Sequence, residues 1–400
     1  MKRSIQLFIL GLCFVATAPL SNAAWGDYDT TFGFLGIALD GSASHYPKDI
    51  AVQSDGKILL TGYRIVSGKN RFFLKRYLSN GQVDTSFGSN GYALPTGLIN
   101  VDANYSGNKI VIQANGRIAV LGTGGSSVYL WRFFSSGSAD TSIGAGGMKR
   151  IPTGYATNYT GELATYANIL YVALTRDDYS SGVILKYFSS GSQDTSFGNG
   201  GELVPSTYAF YKFATETSTG NILVAGKQVT GGNGYGFERF LPTGQADPTF
   251  TSFDTTYAGA AGQFPSSFVQ RANGELVLNE WWNQYNSFPP STLGSNLVRF
   301  QSDGDYIGRV NYIPVQVDPN PQSGPCPVII AEQSDARIVA RGVYYNKLYR
   351  FSSGYSTVQT TTCDPYSSLE DKTRAILQSD NKMLAAGRYN GYIAIARTLP

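Results

Sequence analysis

Short runs that alternate apolar and polar positions, broken by Gly-containing turns, dominate this chain. Asp49-Ile-Ala-Val-Gln53 reads as a strand and Ser54-Asp-Gly56 as a tight turn, because Gly takes positive φ without steric cost and Asp can bond its own backbone. Lys57-Ile-Leu-Leu-Thr-Gly-Tyr63 is a second strand, Arg64 to Asn70 a polar loop, and Arg71-Phe-Phe-Leu-Lys-Arg-Tyr77 a third strand. Ser79-Asn-Gly81 turns again, and Gly91-Tyr-Ala-Leu-Pro95 is a fourth strand that stops at Pro. Four short antiparallel strands in some fifty residues is the pattern of one propeller blade.

The unit repeats. Asp84-Thr-Ser-Phe-Gly88 returns as Asp194 to Gly198, as Asp140-Thr-Ser-Ile-Gly144, as Asp29-Thr-Thr-Phe-Gly33 and, decayed, as Asp247-Pro-Thr-Phe250, at intervals of 55, 56, 54 and 53 residues. The turn before the second strand occurs seven times, from Gln53-Ser-Asp-Gly-Lys-Ile58 to Gln378-Ser-Asp-Asn-Lys-Met383. Third strands such as Leu74-Lys-Arg-Tyr77, Leu130-Trp-Arg-Phe133 and Leu297-Val-Arg-Phe300 also number seven.

The two ends are complementary. The sequence stops at Pro400 just after a third strand, and near its start Asp29 to Gly33 and Phe34-Leu-Gly-Ile-Ala-Leu39 are what should follow one. The N-terminal segment is therefore expected to supply the outer strand of the last blade. A closed ring explains this offset, because bonds between the ends leave no free sheet edge; an open solenoid would not require it. The expected fold is all-β: a seven-bladed β-propeller of four-stranded antiparallel blades in one domain, 24–400.

These residues resemble the bacterial delta-60 repeat: Gln-x-Asp-Gly-Lys-Ile paired with Arg-Tyr, a Gly turn and Asp-Thr-Ser-Phe-Gly. The match is sharp from Asp29 to Gly201 and weakens from Asp247, and the Asp-Thr-Ser-Phe-Gly element is missing from the last three blades. The resemblance implies propeller architecture and export, and carries no catalytic residues with it.

Residues 1–23 read as a cleaved signal peptide. Lys2 and Arg3 precede an apolar core from Ile5 to Ala16, too short to span a bilayer, and Ser21-Asn-Ala23 offers a cleavage site. A periplasmic or extracellular location follows, without a transmembrane anchor. Two cysteines remain in the exported chain, Cys326 and Cys363, and are expected to form one disulfide between neighbouring insertions. The formal charge of +3 falls to +1 without Lys2 and Arg3, and no basic run marks a nucleic-acid partner.

Candidate chemistry is sparse. The recurring Asp residues supply one carboxylate each, too few for a calcium loop, and are expected to accept backbone N–H bonds in their turns while Phe32, Phe87 and Phe197 plug the gaps between blades. Asp303-Gly-Asp305 and Arg176-Asp-Asp178 read as turns. His45 is the only histidine, set in a Ser-rich loop without a nucleophile-elbow motif, so neither a zinc site nor a Ser-His-Asp triad is expected, and no cofactor is implied. The loops between second and third strands are unequal. The longest, Asn279 to Ser295, holds Trp281, Trp282 and Tyr285; others hold Arg64, Lys69, Tyr179, Lys227, Tyr345, Arg388 and Tyr389. Aromatic rings beside amides and guanidinium groups suit sugar rings or a protein partner. The expected function is an exported, monomeric, non-enzymatic binding or scaffold protein that recognises a protein or glycan through this loop face. A polysaccharide lyase or hydrolase working at the central channel, and a purely structural envelope component, are the alternatives.

Overall fold

The computed structural model describes residues 24–96, 103–152, 161–175, 182–205, 208–228, 235–251, 263–284, 292–311, 330–341, 347–362, 369, 373 and 375–400. The signal-peptide expectation for residues 1–23 and both cysteines of the expected disulfide lie outside them.

Seven antiparallel sheets close into a propeller. Blade one spans His45–Val52, Ile58–Val66, Lys69–Tyr77 and Tyr92–Ala93. Blades two and three run from Tyr105 to Arg150 and from Glu162 to Leu203, and blade four shows three described strands from Tyr208 to Phe240. Blades five and six run from Gln263 to Asn311 and from Ile330 to Thr362. Blade seven takes Ile376–Leu377, Met383–Tyr389 and Tyr392–Thr398 from one end of the chain and Ile37–Ala43 from the other. Ile37 pairs with Ala396, and Ala38 with Ile395, so the first strand of the sequence is the outer strand of the last blade. From blade one to blade six, each blade's first strand lies beside the next blade's first strand, which places these strands innermost.

The hydrophobic core lies between blades. At the closing seam Leu384, Ala386, Ile393 and Ile395 of blade seven pack on Ile50, Leu60, Phe73 and Tyr77 of blade one. The alternation read in the sequence is thus a two-sided one, with successive strand residues facing successive neighbours.

The repeated Asp-Thr-Ser-Phe-Gly motif forms a clasp between consecutive blades. In blade one the Asp84 carboxylate accepts the Ser86 backbone N–H and hydroxyl, the Asx-turn expected from sequence. It also accepts Arg76 Nε at 2.9 Å, from the third strand of the same blade. Arg76 Nη1 then reaches the Ser135 carbonyl of blade two, and its guanidinium lies 4.3 Å over the Phe87 ring. Phe87 is fully buried against Gly137 of blade two; a Cβ on Gly137, whose φ is +91°, would come within 2.9 Å of that ring. Arg239, Asp247 and Phe250 repeat the arrangement with the Ser302 carbonyl, and Lys186, Asp194 and Phe197 with the Pro242 carbonyl. The closing blade uses Arg397 with Asp29 and Phe32, so the motif is missing from blades five and six but present in blade seven, supplied by the N-terminal segment. At the seam between blades five and six, Arg271 instead donates to Glu275 and to Glu332, while Arg299 donates to Glu275.

Candidate functional site

The loop face carries the ends of second strands and the beginnings of first and third strands. At the seam between blades seven and one these ends converge at the mouth of the central channel. Tyr46 on the innermost strand of blade one pairs across the sheet with Tyr63, and their rings stack 4.7 Å apart at an angle of 8°. The Arg388 guanidinium of blade seven sits 4.3 Å over the Tyr46 ring, and Lys48 Nζ lies 5.5 Å from the centre of the Tyr63 ring. Arg64, which pairs with His45 and with Arg71, lies 5.4 Å over Tyr92. Lys48 projects from a β-bulge between Pro47 and Asp49, and blades two, four and five have bulges at the corresponding places. A bulge breaks the pairing and re-aims one side chain, here at the channel rim.

Beneath this aromatic layer runs a buried polar chain. Lys75 Nζ donates to Asp40 Oδ2 at 2.7 Å, to Ser42 Oγ at 2.8 Å and to Tyr92 OH at 3.0 Å. Tyr77 also donates to Asp40. His45 Nδ1 lies 2.8 Å from the Ala43 carbonyl, which can only accept, so Nδ1 carries the proton and Nε2 accepts from Tyr92 OH at 3.2 Å. Burial pushes the His45 imidazole below its ordinary pKa, against the pull of the Ala43 hydrogen bond, and keeps the ring neutral near pH 7. Burial alone would raise the Asp40 carboxyl. Hydrogen bonds from Lys75 and Tyr77 and the Lys75 charge outweigh it and hold Asp40 below the usual carboxylate range. The same burial, with Asp40 alongside, drives the Tyr77 phenol well above its ordinary value. Asp40 and Ser42 come from the N-terminal strand and Lys75, Tyr77 and Tyr92 from blade one, so the chain exists only once the ring is closed.

Further round the channel, Glu162 on the innermost strand of blade three sits between Lys109 of blade two, at 3.1 Å, and Lys212 of blade four, at 3.0 Å. Burial works to raise the Glu162 carboxyl, but the two lysines outweigh it and lower its pKa.

The structure relocates several residues read from the sequence as loop residues. Arg64 and Lys69 lie in a hairpin whose strands extend to Val66 and resume at Lys69, with only Ser67 and Gly68 between them. His45 opens the first strand of blade one rather than lying in a loop. Arg388 and Tyr389 end the second strand of blade seven, and Lys227 lies in the second strand of blade four. The segment read as the longest loop is mostly sheet: Leu276–Gln284 and Thr292–Phe300 pair throughout, with Trp281 opposite Ser295 and Trp282 opposite Gly294. The loop shrinks because cross-strand pairing continues through Asn, Trp and Thr, residues a pleated, half-solvated hairpin accommodates. Of the candidate binding residues, Arg64 and Arg388 stand at the seam between blades one and seven, whereas Tyr389 packs toward the core shared by blades six and seven. Trp281 and Trp282 stand in blade five, and Tyr179, Tyr285 and Tyr345 fall outside the described residues. Asp303-Gly-Asp305 is a turn, with Asp303 Oδ1 accepting the Asp305 N–H; Arg176-Asp-Asp178 falls outside the described residues. Sequence reading missed Tyr46, Tyr63 and Lys48. They lie next to strand positions it did identify, and their only signal was aromatic and basic residues at the two ends of one predicted hairpin.

A family model described as a domain of unknown function (DUF5122) beta-propeller matches residues 53–87 and 113–142. Both stretches join the turn before a second strand to the motif after the third, so this chain is built from propeller repeats. Among solved structures, hydrazine synthase from Kuenenia stuttgartiensis superposes with a TM-score of 0.56 at 9% identity, covering 90% of this chain and 97% of that one. Virginiamycin B lyase from Staphylococcus aureus superposes with a TM-score of 0.50 at 14% identity, covering 91% and 98%. At such identities the likeness is one of fold. No curated protein matches the sequence.

Proposed function

We propose that this chain is an exported, non-enzymatic binding propeller of the delta-60 repeat type that recognises a carbohydrate or protein partner at the loop-face mouth of its channel. The observation that carries the reading is the ladder Arg388–Tyr46–Tyr63–Lys48, a preformed aromatic and cationic surface at the rim of a rigid ring. The polar groups best placed for chemistry are committed elsewhere. Lys75 and Asp40 neutralise one another, His45 is held at both nitrogens, and Glu162 is held by two lysines. Export rests on the N-terminal residues Lys2 to Ala23. Among the described residues no helix is long and apolar enough to cross a membrane.

The test is a glycan array probed with the purified protein and with Tyr46→Ala and Tyr63→Ala variants, alongside reducing-end and unsaturated-product assays on each bound polysaccharide. The expected result is binding that both variants abolish, with no product formed. Turnover of any polysaccharide by the wild-type protein overturns the non-enzymatic reading.

A further inference from the structure

We infer that the outer rim of the closing seam is a self-association surface through which two copies of this chain form a two-fold dimer, in place of the monomer expected from the sequence. Phe34, Leu35 and Leu39 are 79%, 61% and 55% exposed, whereas the other exposed large apolar side chains among the described residues lie at 40–46%. All three belong to the N-terminal segment that completes blade seven. The fold itself does not require them. Phe34 and Ile37 bond each other's backbone around the two-residue turn Leu35-Gly36, as Ser89 and Tyr92 do around Asn90-Gly91 and Asn199 and Glu202 around Gly200-Gly201. The first residue of each turn has positive φ: +51° at Leu35, +51° at Asn90 and +64° at Gly200. Asn and Gly accept that backbone readily and Leu does not. The closing copy of the turn therefore holds a strained Leu beside an exposed Phe, where blades one and three hold Ser89-Asn90 and Asn199-Gly200.

The same patch carries a complementary hollow. An open groove of about 590 Å³ lies beside Phe34, walled by Ile37 and Leu39 of the N-terminal strand and by Gln82 and Val83 of blade one. Its one charged lining residue, Asp40, is neutralised by Lys75, so two copies meet there without like-charge repulsion. A two-fold interface requires one patch to be complementary to itself. An apolar projection adjoining a partly apolar groove meets that requirement: Phe34 and Leu35 of each copy enter the groove of the other. At the exposures above, the three side chains present roughly 350 Å² of apolar surface, which with the groove walls comes to about 500 Å² per copy. Two copies then bury about 1,000 Å², the lower bound for a specific interface, which suits a dimer of micromolar affinity. A single self-complementary patch closes the pair and gives no larger assembly. The turn lies at the Ile37 end of the strand, whereas Ala43 at the other end pairs with Tyr392 beside the loop face, so dimerisation leaves both channel mouths open.

The experiment is sedimentation equilibrium of the purified protein from low-micromolar to sub-millimolar concentration. The wild-type mass is expected to rise toward twice that of the monomer and no further. The double variant Phe34→Ser, Leu35→Asn installs the residues that blade one carries at Ser89 and Asn90, so the turn keeps its geometry and loses its strain. It should remain monomeric throughout, with a melting temperature no lower than that of the dilute wild type. Val204→Ser, which removes an exposed apolar side chain from blade three, should associate as the wild type does. Gln82→Arg sets a positive charge in the groove wall of each copy and should weaken association about tenfold at low salt, with high salt restoring it. A wild-type protein that is monomeric at every concentration assigns the patch to another occupant, an unrelated protein or a lipid surface, and overturns the inference. A double variant that associates as the wild type does also overturns it, as does assembly beyond the dimer.

Discussion

Arg397 Nε donates to Asp29 Oδ2 at 2.8 Å, across 368 positions of sequence. The same pair type joins residues only eight apart in blades one and two, Arg76 with Asp84 and Arg132 with Asp140. A local repeat interaction thus becomes the lock of the ring when one half of it is moved to the opposite end of the chain. Lys382 adds a second cation to Asp29 at 3.1 Å, and Arg397 Nη1 carries the contact on to the Ser79 carbonyl of blade one.

Breaking this lock should cost more than its local contacts suggest. Asp29→Ala leaves Arg397, its side chain only 10% exposed, without its carboxylate, and should lower stability by about 3–5 kcal/mol, the range for uncompensated buried charge. It should also raise proteolysis within residues 24–43, because the N-terminal strand loses its anchor. Urea unfolding and limited trypsin digestion check both; a variant as stable and as resistant as the wild type contradicts the closing role.

Acid should unlock the ring. Burial works to raise the Asp29 carboxyl, but hydrogen bonds from Thr31 and Lys382 and the Arg397 charge lower its pKa from 3.8 to about 2. A carboxyl depressed in the folded state contributes stability that is fully present above its unfolded value and is lost as pH falls through the folded one. The urea midpoint should therefore drop between roughly pH 4 and pH 2, and Asp29→Asn should flatten part of that slope. Asp84, Asp140, Asp194 and Asp247, all lowered through analogous contacts, contribute the remainder.

The turn glycines facing the plug residues should resist substitution. A Cβ at Gly81 would stand 2.5 Å from Ala38 Cβ and 2.9 Å from the Phe32 ring, at a φ of +90°. Gly81→Ala should destabilise by about 2–4 kcal/mol through strain and displaced packing together. Gly68→Ala is the comparison: its φ is also positive but nothing lies within 4 Å, so only the backbone cost of about 1 kcal/mol applies. Thermal melts of the two variants test the difference, and equal losses would refute the packing part.

Phe87→Ala should open a cavity between blades one and two. Phe87 is fully buried, and truncating a buried Phe costs about 3–5 kcal/mol. The Arg76 guanidinium also loses the ring beneath it. Chemical denaturation gives the number, and a loss below about 1 kcal/mol would mean that the seam collapses around the gap.

Cys326 and Cys363 are proposed to form one disulfide. Mass spectrometry after alkylating the unfolded protein, with and without reductant, should show two added groups only in the reduced sample; two free thiols without reductant refute it.

Blade count, strand order and the pairing of the two ends were legible in the residues themselves. A repeated turn leaves its Gly at a fixed spacing, and inter-blade packing demands apolar residues on both sides of every second strand. The Asx-turn role of Asp84 and the burial of Phe87 were legible for the same reason: both are local, and both recur. Three things became visible only in the folded ring. The partner of each motif Asp lies on the third strand of its own blade, and this Arg, or Lys186 in blade three, read only as a polar strand position. The reach of hairpin pairing past Arg64 and Trp282 depends on cross-strand neighbours rather than on local turn chemistry. The channel-mouth ladder joins Arg388 to Tyr46 and the buried chain joins Asp40 to Lys75, and no spacing rule links such pairs, because ring closure and not the sequence interval sets the distance between them.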